Sequence, residues 1–252
     1  MDSTKTVREY ALEIPAATRI FEKLGIDYCC GGGKSLADAC ARIGVALEEV
    51  LRSFETQARS DETNADGEWQ TLSQEKLIAH IVEKHHVFTR EELVRIDVLL
   101  AKVCGVHGQT HPELFHIQDQ FAKLRGELEP HMSKEESVLF PYVVRMEEAA
   151  MANQRSPRAS FGTVRNPVRM MMAEHDAAGY ILGKIREASS DYTVPADGCI
   201  SYKTLYSALA ELEVDLHQHI HLENNILFPR ALDQEDREQT LQVVSEEFIT
   251  TI

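Results

Sequence analysis

The sequence has few aromatic residues, few cysteines and no long apolar run. Only 7% of its 252 residues are aromatic, whereas 43% are hydrophobic and 27% are charged. Low aromatic content together with long stretches containing Glu, Leu, Ala and Lys is typical of helical proteins. The composition therefore predicts a folded all-α protein, and the length allows one sizeable core with a small second domain or two modest domains.

Positive charge is also scarce. There are 26 Lys and Arg residues against 41 Asp and Glu residues, which gives a formal net charge of -15. Nucleic acids and anionic lipids bind through basic patches, and the sequence shows none. It also lacks a run of about 18 apolar residues for a membrane helix, and its first ten residues lack the apolar centre of a signal peptide. We expect a cytoplasmic protein that binds neither nucleic acid nor membranes.

The five cysteines are an odd number without the spacing of a disulfide framework. Such cysteines are typical of a reducing compartment, where thiols bind metals or take part in redox chemistry. Cys29 and Cys30 are adjacent and precede three glycines, which leave them without bulky neighbours, and the helix that follows could lower a thiol pKa. The pair is a candidate site of accessible thiols, although an incidental pair at a turn fits the sequence equally well.

The chain contains an internal repeat. His131, Glu135 and the tripeptide Leu-Phe-Pro at 139–141 recur as His219, Glu223 and Leu-Phe-Pro, all displaced by the same number of residues. Coincidence would not copy the flanking tripeptide, so the pattern indicates a duplication. Residues four apart share one face of a helix, so each copy directs an imidazole and a carboxylate to the same place. A surface pair would be worth only a few tenths of a kcal/mol, and we interpret each copy as half of a metal site.

Each copy has one further histidine, at nearly the same distance before its His–Glu pair. This arrangement predicts two antiparallel helix pairs, which together make a four-helix bundle with its ligands directed inward. Such a set would hold two adjacent metals with open coordination positions, bridged by the two carboxylates. The six candidate ligands are one histidine of the adjacent pair His85 and His86, together with His131, Glu135, His175, His219 and Glu223.

The register of the first histidine is ambiguous. Helical phase places His85 and His86 at opposite margins of the apolar stripe, so periodicity does not choose between them. On the fourth helix, His217 and His221 form another pair four residues apart, but the repeated tripeptide selects His219 instead. Three further histidines, in or beside a polar loop, are expected to be solvated: His107, His111 and His116.

Changes in composition along the chain predict its domain organisation. Residues 1–57 are expected to form a small helical domain that contains the Cys-Cys pair, residues 58–70 a polar linker, and residues 71–252 the bundle. The expected helices of the bundle cover residues 72–103, 113–151, 166–188 and 202–231, with a short closing helix at 236–249.

The donor set indicates the metal. Imidazole with carboxylate suits iron, manganese or zinc, and six protein ligands around a bridged pair favour two iron ions. Ferritin-like bundles use Glu-x-x-His, whereas the order here is His-x-x-x-Glu. The sequence therefore favours a hemerythrin-like bundle.

The whole chain resembles the repair-of-iron-centres family of iron–sulfur cluster repair proteins. The motifs that carry the resemblance are Asp27-Tyr-Cys-Cys-Gly-Gly32, His131-Met-Ser-Lys-Glu135 with Leu-Phe-Pro141, Glu174-His-Asp176 and the stretch from His219 to Arg230. In that family the first ligand follows a tyrosine, so the resemblance assigns the ligand to His86, with His85 in the place of the tyrosine. Relatives often have another histidine where this chain has Thr89.

This resemblance implies a cytoplasmic protein with a carboxylate-bridged pair of iron ions. Its activity would be the repair of iron–sulfur clusters damaged by nitric oxide or oxidants, with Cys29 and Cys30 required beside the bundle. The implied partners are damaged iron–sulfur proteins and NO or O2, and the resemblance leaves room for a homodimer. Reversible O2 or NO binding or sensing is the alternative, and enzymatic NO reduction could coexist with repair. The added Cys-Cys domain favours repair, because a bundle alone would suffice for sensing.

Overall fold

Helices make up the regular secondary structure throughout the part of the chain that the computed structural model describes, residues 5–14, 16–57 and 69–250, apart from two isolated β-bridges. The predicted all-α class is thereby confirmed. The expected linker at 58–70 falls mainly on residues 58–68, which lie outside the described residues, and residues 69–71 form one helical turn. Among the described helices, none combines the length and the apolar character needed to cross a membrane.

Several long helices contain a short π-helical segment. In chain order the elements are α1 (Val7–Glu13), α2 (Ala17–Leu24), α3 (Leu36–Ile43), α4 (Leu47–Gln57), α5 (Gln74–His80), π1 (Ile81–His86), α6 (Val87–His107), α7 (Glu113–Lys134), π2 (Glu135–Leu139), α8 (Phe140–Met151), α9 (Arg165–Ala188), α10 (Ile200–Leu222), π3 (Glu223–Leu227) and α11 (Phe228–Thr250).

The chain forms two compact units. The first contains the described residues of Met1–Ala79, Glu136–Met170 and Ile220–Ile252, and the second contains His80–Glu135 and Met171–His219. Residues from three separate parts of the chain thus contribute to the first unit.

Local signals define the N-terminal helices of the first unit. Thr6 begins α1 with a capping box, because its side chain accepts from the Glu9 amide while the Glu9 side chain accepts from the Thr6 amide. Gly25 and Gly44 end α2 and α3 in the left-handed conformation, at φ values of 71° and 73°. The apolar faces of these helices share one core, which includes Val7, Tyr10, Phe21, Tyr28, Leu36, Val50 and Phe54.

A four-helix core fills the second unit. Its members are α6, α7, residues 171–188 of α9 and residues 200–219 of α10, and the short loop at 108–112 joins the first two as an antiparallel pair. Their buried residues form a single cluster, which includes Leu93, Ile96, Leu100, Phe121, Leu124, Leu182, Leu209 and Leu212. The predicted four-helix architecture is confirmed, with the apolar stripes of the helices facing one another.

The π-helical segments were not expected from the sequence. π2 begins at Glu135 and π3 at Glu223, and each ends at the leucine of a Leu-Phe-Pro tripeptide. Pro141 and Pro229 are therefore the second residues of α8 and α11. A proline has no N–H with which to bond the carbonyl four residues earlier. In the wider turn of a π-helix, that carbonyl can instead accept a hydrogen bond from the N–H of the residue after the proline. The repeated proline accounts for the repeated change of helix type.

One expected boundary was wrong. The sequence predicted that the fourth helix ends near residue 231 and that a separate helix covers 236–249, but α11 runs without interruption from Phe228 to Thr250. Residues 232–235 contain neither glycine nor proline that would break the helix. The buried Glu235 also anchors this stretch within the first unit, because it accepts hydrogen bonds from the Thr163 hydroxyl and, at 2.8 Å, from the Val164 amide.

Candidate metal centre

The second unit brings five of the six predicted ligands together. Five helical elements contribute them, and each of the five residues is at most 2% exposed. These residues are His86 at the end of π1, His131 near the end of α7, Glu135 at the start of π2, His175 in α9 and His219 in α10.

The five side chains form two groups that share one carboxylate. In the first group, His86 Nε2 lies 3.2 Å from His219 Nε2 and 3.4 Å from Glu135 Oε2. In the second, His131 Nε2 lies 3.1 Å from His175 Nε2 and 3.3 Å from the same Glu135 oxygen. Within each group the three ligand atoms all lie within 4.8 Å of one another.

These spacings fit metal coordination. With bonds of about 2.1 Å, two neighbouring ligands on one metal lie about 3.0–3.4 Å apart. Imidazole and carboxylate together form a donor set for first-row transition metals. Burying a carboxylate among imidazoles in a dry interior costs free energy that a bound cation offsets. The residues therefore fit a metal-binding centre.

Glu223, the sixth predicted ligand, belongs to the first unit. It follows His219 by one helical turn, is the first residue of π3 and is fully buried. Glu135 has the same position with respect to His131 and π2. The two carboxylates are therefore equivalent in the repeat, both by sequence and by local structure.

Glu174 orients one of the histidines. It accepts a 2.8 Å hydrogen bond from His131 Nδ1, and Lys134 donates to its other oxygen. Partial burial works to raise the pKa of Glu174, but the hydrogen bonds from Lys134 and His131 hold this pKa below its usual value. The anionic carboxylate fixes the proton of His131 on Nδ1 and leaves the Nε2 lone pair directed at the centre.

His85 and His86 differ in their contacts, although both are buried. His85 Nδ1 donates to Asp215 Oδ1 at 2.9 Å, and its ring stacks on that of His219 with a centroid separation of 5.8 Å. His86 instead points its Nε2 at Glu135 and His219. His85 therefore supports a histidine of the centre, with Asp215 fixing its orientation.

Sequence reasoning assigned no role to Glu174 or Asp215. Asp215 lies one helical turn before His219, a position on the inner face that could have drawn attention to it. Glu174 directly precedes His175, and adjacent side chains of a helix point in different directions. The Glu174 side chain therefore points towards α7 and not in the direction of the His175 side chain. No sequence signal connects it with His131.

The histidines expected outside the site are not part of the centre. His107 and His111 lie beside the ring of Tyr202, with centroid separations of 5.4 and 5.6 Å. Both are half-buried rather than solvated, and His111 is hydrogen-bonded to Glu113 and Asp197, whereas His116 is exposed.

The Cys-Cys loop (residues 27–33) packs within the first unit on π3. The Asn224 side chain donates a 3.3 Å hydrogen bond to the carbonyl of Cys29, and the Asn225 side chain donates a 3.0 Å bond to the carbonyl of Tyr28. Both asparagines directly follow Glu223 in the sequence. The loop is therefore attached to the helical turn that begins with a predicted metal ligand.

Further contacts reinforce this attachment. Asn225 also lies 2.9 Å from His221 Nδ1, and burial lowers the pKa of His221 to about 4. The imidazole is therefore neutral at pH 7, and its Nδ1 can accept a hydrogen bond from the Asn225 amide. Arg8 Nη2 donates to the Asn225 carbonyl at 3.1 Å, which ties α1 to the same turn.

The two thiols differ from the expected accessible pair. Cys29 is buried at 7% exposure, and Cys30 is half-buried. The hydrogen bond with Cys30, together with burial and the nearby Asp27 carboxylate, raises the pKa of Cys29 well above its ordinary value. The expectation of a lowered pKa is therefore wrong for Cys29, because its immediate surroundings disfavour the thiolate.

Comparison with known proteins agrees with this architecture. The hemerythrin HHE cation-binding domain family matches residues 77–231, and ScdA_N, a domain of unknown function, matches residues 3–58. The fold and the donor set thus define a hemerythrin-like, metal-binding helical protein.

Relatives similar over nearly the whole chain narrow this class. A probable iron–sulfur cluster repair protein of Haemophilus influenzae is 37% identical over 226 residues, which cover 90% of this chain and 96% of the relative. The iron–sulfur cluster repair protein YtfE of Yersinia pestis is 35% identical, with 88% and 94% covered, and that of Citrobacter koseri is 34% identical, with 89% and 94% covered. The chain belongs to the YtfE family of iron–sulfur cluster repair proteins. The resemblance drawn from the sequence motifs is confirmed.

Proposed function

We propose that this protein repairs iron–sulfur clusters damaged by nitrosative or oxidative stress, and that its metal centre holds two iron ions. The observation that carries the proposal is the pair of histidine groups that share the Glu135 carboxylate. Two metal positions with a common carboxylate are typical of di-iron centres, whereas structural zinc sites are closed four-ligand sites. The repair activity is supported by the names of relatives that are similar over nearly the whole chain.

The five clustered side chains divide between the two irons. His86 and His219 would hold one iron and His131 and His175 the other, with the Glu135 carboxylate available to both. All five are almost completely buried, so the donors stay in place without competition from bulk water. When bound, such an iron pair supplies exchangeable Fe²⁺ and open positions for NO or O2.

Glu223 is the second carboxylate of the centre. Its support comes from the repeat, because it follows a ligand histidine by one turn and begins a π-helical segment, as Glu135 does. π-helical turns inside α-helices frequently occur at functional sites.

The Cys-Cys loop carries out the second part of the function. The partners of the protein are damaged iron–sulfur proteins. Cys29 and Cys30 act on iron that is being transferred or on the cluster of the damaged protein. The attachment of this loop to the turn that begins at Glu223 favours repair over simple binding or sensing of O2 or NO, for which the histidine bundle alone would suffice. Iron donation and removal of NO are both compatible with this arrangement.

The test separates iron binding from repair. Cys29→Ser/Cys30→Ser protein and a Cys199→Ser control, which changes an exposed cysteine, are assayed for iron content and for reactivation of an NO-damaged [4Fe–4S] enzyme. We expect the double variant to keep its iron and lose reactivation, and the control to keep both. Full reactivation by the double variant would contradict the role of the thiols. Failure of wild-type protein to reactivate the enzyme would contradict the repair function itself.

A further inference from the structure

Asp27, Cys29 and Cys30 form a second cluster of metal-ligating groups. The two Sγ atoms lie 3.8 Å apart, and Cys29 Sγ lies 3.5 Å from Asp27 Oδ1. The three ligand atoms all lie within 4.8 Å of one another. Neither the histidine centre nor the repeat accounts for this arrangement.

The separations match those of ligands around one tetrahedral metal. With metal–sulfur bonds of about 2.3 Å and metal–oxygen bonds of about 2.0 Å, tetrahedral angles place two sulfurs about 3.8 Å apart and a sulfur and an oxygen about 3.5 Å apart. Adjacent side chains in an extended segment point to opposite sides, so the loop conformation itself brings the two thiols together.

The loop is built to hold the carboxylate near the thiols. The Cys30 amide donates a 2.9 Å hydrogen bond to Asp27 Oδ1, which folds the Asp27 side chain back over the loop. At residue 31 a Cβ atom would lie 2.7 Å from Asp27 Oδ2 and 3.0 Å from its Cγ, so only glycine leaves room for this position. At Gly33, by contrast, a Cβ atom would meet no other group within 4 Å.

The backbone of the loop is fixed from another direction. In π3, the Asn224 side chain donates to the carbonyl of Cys29 and the Asn225 side chain donates to the carbonyl of Tyr28. These bonds hold the backbone of the loop and leave the cysteine side chains free to converge. A site whose backbone is already held loses little conformational entropy when it binds a ligand.

We propose that Asp27, Cys29 and Cys30 bind one thiophilic divalent cation, of the class of Fe²⁺ or Zn²⁺, independently of the histidine centre. Two thiolates and one carboxylate are the protein ligands, and the two thiol protons pass to solvent as the two metal–sulfur bonds form. Three protein ligands leave a fourth position open, so that the metal can be exchanged or shared with a further donor. The site is a property of the loop and does not depend on the repair function.

Co²⁺ is the probe, because its bonds to thiolate sulfur give intense near-ultraviolet charge-transfer absorption that imidazole and carboxylate ligands do not give. Metal-depleted full-length protein is titrated anaerobically with Co²⁺ and then with Zn²⁺. We expect one equivalent of thiolate-bound Co²⁺ per chain, which Zn²⁺ displaces. The absorption should disappear in Cys29→Ser/Cys30→Ser protein and persist both in Cys199→Ser protein and in Glu135→Ala protein, whose histidine centre is impaired.

Single substitutions that change the loop less than the double cysteine variant test the geometry of the site and show whether lost binding results from misfolding. Asp27→Asn should weaken Co²⁺ binding at the thiolates at least about tenfold. Replacing a residue that only hydrogen-bonds to a metal ligand already lowers metal affinity by that much. Gly31→Ala should weaken it similarly by displacing the carboxylate, whereas Gly33→Ala should leave it unchanged. Absence of the thiolate absorption in wild-type protein, its persistence in the double variant, or equal binding by the Gly31→Ala and Gly33→Ala proteins would overturn the proposal.

Discussion

Glu174 accepts a hydrogen bond of 2.8 Å from His131 Nδ1, on the opposite side of the ring from the Nε2 atom that faces Glu135. A carboxylate behind a metal-binding histidine fixes the ring and increases its basicity. This relationship connects a residue outside the donor set with the affinity of the centre.

Replacing Glu174 should therefore weaken iron binding without removing a ligand. We expect Glu174→Ala to lower the affinity for Fe²⁺ about 10–100-fold, measured by competition with a chelator. Glu174→Gln, which keeps a hydrogen-bond acceptor, should lie between this variant and wild type. Lys134→Met is the control, because it removes the other partner of Glu174 and leaves the bond to His131 in place. An unchanged affinity of Glu174→Ala protein would mean that the carboxylate does not act on the centre.

His85 and His86 provide a matched pair of adjacent variants. His86→Ala should lose iron and the absorption spectrum of the centre, because its Nε2 lies among the other donors. His85→Ala should retain most of the iron, since its Nδ1 is bonded to Asp215. Iron analysis and absorption spectra of both proteins check the assignment, and the reverse result would show that His85 is the ligand.

The attachment of the Cys-Cys loop should depend more on Asn225 than on Asn224. Asn225→Ala removes two buried hydrogen bonds, one to the Tyr28 carbonyl and one with His221, and each such bond contributes about 0.5–1.5 kcal/mol to stability. Asn224→Ala removes a longer bond to Cys29 and should cost less. Urea unfolding measures both free energies, and hydrogen exchange of residues 27–33 shows whether the loss is local. Wild-type stability and protection in Asn225→Ala protein would contradict this account.

The sequence predicts much of the helical framework because that framework depends on local patterns. The expected helix at 113–151 agrees with the continuous run of α7, π2 and α8, from Glu113 to Met151, and the expected helix at 166–188 agrees with α9. Spacing of four residues also identified His131 and Glu135, which lie 3.3 Å apart in the structure. Such features depend on residues that are close in sequence.

Features that depend on contacts between distant residues were not predicted. Asn225 binds the carbonyl of Tyr28, a residue 197 positions earlier, and no periodicity records such a bond. Glu174 acquires its role only when α9 packs beside α7 and brings it to His131. Periodicity also could not choose between His85 and His86, because both are buried and the choice depends on the neighbours of each side chain; the family resemblance supplied that assignment.

Cys199 should be the most readily alkylated cysteine. It is exposed, and hydrogen bonds from the Tyr202 amide and from His107 lower its pKa to about 7. Since the thiolate is the nucleophile, the rate of iodoacetamide labelling should rise as the pH increases through about 7 and then level off. Burial raises the pKa of Cys104, which should remain unlabelled in folded protein. Mass spectrometry of the labelled peptides measures both rates.

His107→Asn tests the cause of the lowered pKa. Without the imidazole, the midpoint of Cys199 labelling should move to higher pH. A midpoint that stays near 7 would assign the effect to the backbone amides alone, and a wild-type midpoint near that of an ordinary thiol would contradict the prediction.

The central claim is that the two histidine groups together hold two iron ions, and metal analysis of anaerobically purified protein tests it most directly. We expect two irons per chain in wild-type protein, a large loss in Glu135→Ala and Glu223→Ala proteins, and little loss in His111→Ala protein, whose histidine is bonded to Glu113 and Asp197. A content of one zinc and no iron in wild-type protein, or equal losses in all three variants, would contradict the account.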